Sequence, residues 1–190
     1  MIIAALVLLG VTVVLPLILA AAPIGHRTGP NLIAAVATPL ALGGVAVLAL
    51  LADRASGAAA VITHGLTVLA AVTGGTLLVR GALLLGGIEP WQLDTRPPEP
   101  ETAGSGDAPE PPAPTPLRGG RVIGYLERIA VVAALGLRWP EAIAIVLAVK
   151  GLARYPELRE PGAAEQFIIG TLASVLWAAA VAGTGYLLLH

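Results

Sequence analysis

Five ionisable residues, Glu127, Arg128, Lys150, Arg154 and Glu165, stand in helical segments that otherwise read as lipid-buried. A charge in hydrocarbon costs roughly 3 kcal/mol or more unless it is paired or hydrated, so such residues mark ion pairs, head-group contacts or hydrated paths. Lys150 and Arg154 are four residues apart, share one helix face and repel. Glu127 and Glu165 are the carboxylates placed to relieve that repulsion, with Glu157 as a looser candidate. Glu127 and Arg128 are neighbours in sequence, so on a helix they point about 100° apart and each must look to a different partner. Two acids and three bases leave one positive charge unmatched, and an anionic lipid head group is the partner that a membrane supplies. A plainer reading also holds for two of the five. Arg154 can snorkel to the interface, and Glu165 sits where a helix N-terminus favours a carboxylate. A buried ion pair is itself more often a packing device than a transport site.

Other chemistry finds little support. His26, His64 and His190 are isolated, without metal-ligand spacing, so no metal site is expected; His64, beside Thr63 and Thr67, reads as a polar contact near a helix start. No nucleophile elbow, Walker A run or acid–base pair is present, and with no cysteine there is no thiolate nucleophile or disulfide. The expectation is a protein without catalytic residues or cofactors, not an enzyme.

These charges need long apolar helices to hold them. The 190 residues are 56% hydrophobic and 12% charged, with a mean hydropathy of +0.85. That composition predicts an all-α integral membrane protein. A formal charge of −1 offers no field to draw nucleic acid. The Ala, Val, Leu, Gly and Arg bias, with a single Met and a single Phe, suggests a high-GC bacterial genome, hence the bacterial inner membrane.

About 20 apolar residues cross a ~30 Å hydrocarbon core, and runs of that kind predict five or six spans. The first is Ile2 to Ala22, read as a retained helix because it lacks a basic leader region. Asn31 is placed to N-cap a second, from Leu32 to about Leu51. A third runs from Ala58 to Leu85, with Arg80 able to snorkel and Trp91 following as an interfacial anchor. A fourth extends from Gly119 and Gly120 to about Arg138, closed by Trp139 and Pro140. A fifth, Glu141 to Tyr155, is short at about 22 Å and either crosses a thinned bilayer or re-enters. Pro161 opens the sixth, which ends near Leu189. Between the third and fourth, residues 89–118 are Pro-rich and acidic and predict a disordered linker. It divides the chain into a three-helix half over 1–88 and another over 119–190, with no detectable internal repeat.

Counting Lys and Arg at the helix ends sets orientation. Arg27, Arg80, Arg96, Arg118, Arg121, Lys150, Arg154 and Arg159 fall on one side, and only Arg54 and Arg138 on the other. Both termini are therefore expected outside and the linker in the cytoplasm. Glu127 then lies roughly 10 Å and Lys150 roughly 9 Å from the cytoplasmic ends of their helices, at one common depth with Glu165. Gly170, Ser174, Ala178 and Ala182 form a small-residue stripe every four residues down the sixth helix, and Gly120 and Gly124 repeat the spacing in the fourth, patterns that let helices approach closely.

The elements Gly124-Tyr125-Leu126-Glu127-Arg128, Lys150 with Arg154, and Glu165 followed by Gly170-Thr171-Leu172-Ala173-Ser174 resemble the C-terminal part of a bacterial multi-pass membrane family known as a domain of unknown function. The resemblance covers about Gly119 to Leu188 and implies an inner-membrane location without an assigned activity. The first expectation is a structural or interaction component whose charge cluster meets anionic lipid head groups, a protein partner or a second copy. A small transporter or channel component using the same residues is the alternative, and a lipid-modifying enzyme a weaker one.

Overall fold

The computed structural model describes residues 1–21, 28–87, 120–155, 158 and 162–190. Residues 89–118, Glu157, Arg159 and Pro161, with the expectations attached to them, lie outside this set, as do His26 and Trp91. The described residues are helical, without strands: α1 (Ile2–Ala21), α2 (Thr28–Leu51), α3 (Ala58–Leu85), α4 (Gly120–Gly136), α5 (Glu141–Ala153) and α6 (Ala163–Leu189).

Four of the six are long and apolar enough to cross a membrane: α1, α2 over Leu32–Leu51, α3 and α6. Helix α4 has 17 residues and α5 has 13, lengths of about 26 and 20 Å that fall short of a full hydrocarbon core. Helix α2 begins at Thr28, ahead of the expected start, so Asn31 lies inside it and is not its N-cap. Pro30 is accommodated there because the first turn of a helix needs no backbone N–H donors.

The interior is apolar, with Leu9, Val45, Val131, Val181 and Leu188 fully buried, but the outer surface is apolar too, unlike that of a water-soluble bundle. Ile3, Ile33, Leu40 and Val61 are each at least 70% exposed, whereas Thr12, Thr38, Thr63, Thr67, Thr171, Ser174 and Thr184 are buried. Apolar side chains facing outward are stable only against an apolar solvent, and small hydroxyl residues inside let backbones approach. Several inward hydroxyls are satisfied within their own helix: Thr38 donates to the Ala34 carbonyl at 2.8 Å, Thr63 to Ala59 at 2.8 Å and Thr67 to Thr63 at 2.7 Å. They therefore sit in the packed interior without an orphaned donor.

Helices α1, α2 and α3 pack on one another, yet the most extensive interface in the molecule joins α3 to α6. This seam joins a helix from before residues 89–118 to one from after them. It is antiparallel. At one end Ala55, in the turn before α3, donates its N–H to the Leu188 carbonyl at 2.8 Å; at the other, Gly86 lies beside Ile169. Trp177 is 2% exposed, and its indole N–H donates to the Ala70 carbonyl at 3.0 Å. Gly74 makes room for that ring, since a Cβ there would collide with it, and Gly185 likewise admits Thr67.

Helix α4 lies on α3 and α6, and α5 packs chiefly on α4. Their connection is a Schellman turn. Trp139 donates its N–H to Ala134 at 2.8 Å and Arg138 to Leu135 at 3.1 Å. Arg138 takes the left-handed position with φ 56°, a conformation usually left to glycine.

Candidate charge cluster and its cleft

The adjacent residues Glu127 and Arg128 project from α4 in different directions, and each finds a separate partner. Arg128 points into the α3–α4–α6 interior and is 5% exposed. Its Nε donates to Ser174 Oγ at 3.0 Å, and its Nη1 donates to the Val72 carbonyl at 2.8 Å and to Thr76 Oγ1 at 3.4 Å. Space for the guanidinium exists because residue 75 is glycine; a Cβ there would strike Arg128. The ring of Tyr125 lies 6.0 Å from the guanidinium carbon. This buried cation is held by neutral hydrogen-bond acceptors and one aromatic face, with no carboxylate bonded to it among the described residues.

Glu127 turns toward α5. Its Oε2 meets Lys150 Nζ at 2.6 Å, with side-chain exposures of 10% for Glu127 and 20% for Lys150. Lys150 also lies 5.6 Å from the centre of the Phe167 ring on α6, a cation–π approach that adds a third helix to the contact. The second carboxylate oxygen, Glu127 Oε1, is buried and has no hydrogen-bond partner among the described residues. A carboxylate oxygen in that state carries the desolvation cost of an unmet acceptor, commonly 1–3 kcal/mol or more for a charged group.

Glu127, Arg128, Lys150 and Arg154 line one cleft of about 820 Å³ between α4, α5, the C-terminal part of α3 and the N-terminal part of α6. Its walls are otherwise largely apolar, including Val79, Leu83, Ile123, Ile145, Val149 and Phe167.

Glu165 stands apart from the other four, in the position that the plainer reading gives it, at the N-terminus of α6. It lies in the first turn of α6, is exposed and does not line the cleft. Depth along a helix sets a residue's height but not the direction in which it faces, and Glu165 faces away. The fourth-helix glycines are also differently used: nothing lies within 4 Å of a Cβ on Gly120, and one on Gly124 would have only Arg128 Nη2 nearby, at 3.9 Å. They border the cleft and do not seat a neighbouring helix. In the sixth helix, Ser174 and Ala178 are buried, Gly170 and Ala182 only partly, and a Cβ on Gly170 would make ordinary contact with Val79 at 3.6 Å. The closest approaches are instead at Gly74, Gly75, Gly81 and Gly185. Sequence reasoning missed all four; the Gly74-Gly75 pair in mid-helix is the signal by which the first two could have been found.

His64 is exposed, with Nδ1 2.8 Å from the Ala60 carbonyl of its own helix. Among the described residues no three His, Asp or Glu side chains gather as a metal site would require. Comparison with protein-family models, curated proteins and solved structures returns no match for this chain.

Proposed function

We propose that the protein is a non-enzymatic structural or interaction component of a bacterial inner membrane. In this reading α4 and α5 are short membrane segments beside the four long helices, which makes five or six crossings, with both termini outside and the 89–118 linker in the cytoplasm. The observation that supports the reading best is the 2.6 Å ion pair between Glu127 and Lys150. Helix α5 has no fully buried residue and sets only partly buried side chains such as Ile143 against the core, so the ion pair adds attachment where apolar packing is thin. Much of the family resemblance lies at this place: Glu127 and Arg128, Lys150 and Arg154, and Gly170, Thr171 and Ser174 line the cleft, whereas Glu165 does not.

Exchanging the charges tests the reading. Glu127→Lys and Lys150→Glu should each lower the thermal stability of the purified protein in detergent, and the two together should recover most of the loss. A double variant as unstable as the worse single one would remove the structural role.

One observation favours a transport component instead. The unpartnered Glu127 Oε1 borders an open cleft, where it could accept a hydrogen bond from water or a migrating cation. Flux through reconstituted vesicles that disappears in the stably folded double variant would favour that reading.

A further inference from the structure

We propose that the α4–α5–α6 cleft binds one anionic glycerophospholipid with a hydroxyl-bearing head group, of the phosphatidylglycerol kind. The proposal rests on the membrane reading above, but not on the ion pair being structural. Three polar groups at the cleft have hydrogen-bonding capacity left over. Arg128 uses Nε and Nη1 for Ser174, Val72 and Thr76, which leaves Nη2, beside Gly124, unspent among the described residues. Lys150 uses one N–H for Glu127, and an ammonium has three. Glu127 Oε1 is an acceptor with no donor, in a residue 8% exposed.

The complementary ligand therefore has an anion for the two cations and a donor for the carboxylate. Formal charge narrows it further. Arg128 and Lys150 against Glu127 leave one positive charge, which a phosphodiester monoanion neutralises. Arg154 also lines the cleft and makes contacts of its own, and its positive charge favours an anionic ligand in the same direction. A zwitterionic ethanolamine head brings a donor but restores the surplus positive charge. A choline head restores the same surplus and brings no donor. A glycerol head brings hydroxyl donors and leaves the phosphate's charge uncancelled.

The remainder of the cleft suits an acyl chain. Its volume of about 820 Å³ exceeds what a phosphate alone would fill. Ile145 and Val149 on α5, 55% and 63% exposed, continue its apolar wall outward.

Native mass spectrometry of the full-length protein, loaded with defined lipids, tests the proposal. The wild type should retain phosphatidylglycerol at least tenfold more strongly than phosphatidylcholine, and more strongly than phosphatidylethanolamine. Gly124→Leu places a side chain over Arg128 Nη2 without touching any charge, and should abolish that preference while thermal unfolding stays at or above the wild-type temperature. Lys150→Met should also lose it. Equal retention of the three lipids by the wild type, or undiminished phosphatidylglycerol binding in Gly124→Leu, would overturn the proposal. Binding of free glycerol 3-phosphate as strong as that of the lipid would also overturn it, leaving a soluble-anion site. Failure here leaves the charge-exchange result untouched, because that result is read from stability alone.

Discussion

Helix α4 faces two surroundings at once, and the contrast between them organises the molecule. On one side lies the α3–α6 seam, where Gly74, Gly75 and Gly185 let Trp177, Arg128 and Thr67 fit against backbone. On the other lies α5, which has no fully buried residue, packs thinly on α4 with Ile143 set against the core, and forms the Glu127–Lys150 pair at the edge of a cleft. Dense packing and open space are thus separated by about 100° of one helix, the angle between Arg128 and Glu127. The difference shows how environment divides the work of two cations. Arg128 is held by neutral groups of the packed interior through Nε and Nη1 and keeps only Nη2 at the cleft, whereas Lys150 spends one N–H on Glu127 and keeps the others.

Substitutions should separate the two regions by size of effect. Gly75→Val drives two methyl groups into the buried guanidinium, and Trp177→Ala leaves a cavity and orphans the Ala70 contact. Each should lower stability by about 3–5 kcal/mol or prevent accumulation of folded protein, measured as monodisperse yield and thermal unfolding in detergent. Comparable stability in Gly75→Val would mean that Arg128 does not occupy the seam. Glu127→Gln or Lys150→Met should cost less, roughly 3 kcal/mol, since removing one partner of a buried pair leaves the other uncompensated and Lys150 is only partly buried. The loss should fall on α5: limited proteolysis should cut near residues 154–162 before it cuts in α3 or α6. At the small end, Arg138→Gly should stabilise by about 1 kcal/mol, because glycine takes the left-handed position of the Schellman turn without penalty. A destabilising Arg138→Gly would assign the arginine side chain a contact that outweighs its backbone strain.

The long helices were legible because continuous apolar runs bounded by Gly, Pro and Asp leave few alternatives; α3 runs from Ala58 to Leu85 as the run itself does. Helix height was legible too, and it set Glu127 opposite Lys150. Facing direction was not, for in an Ala- and Leu-rich helix little distinguishes one side from another. That is why Glu165 was grouped with residues it does not join, and why Gly120 and Gly124 read as a packing motif when they border a cleft. The seating of Trp177 on Gly74, and of Arg128 across Gly75, depends on helices far apart in sequence. Each of those glycines is visible as an oddity in the sequence, but its partner is not.

The hydrogen bond from Trp177 to the Ala70 carbonyl joins residues 107 apart in the chain. Its partner surface on α3 is synthesised long before α6 exists, so while the intervening chain is made the Gly74-Gly75 trough has no indole or guanidinium to fill it. In the membrane reading proposed above, α1, α2 and α3 then hold their tightest packing surface open to lipid or to insertion machinery, and completion of the α3–α6 seam is timed by the arrival of α6.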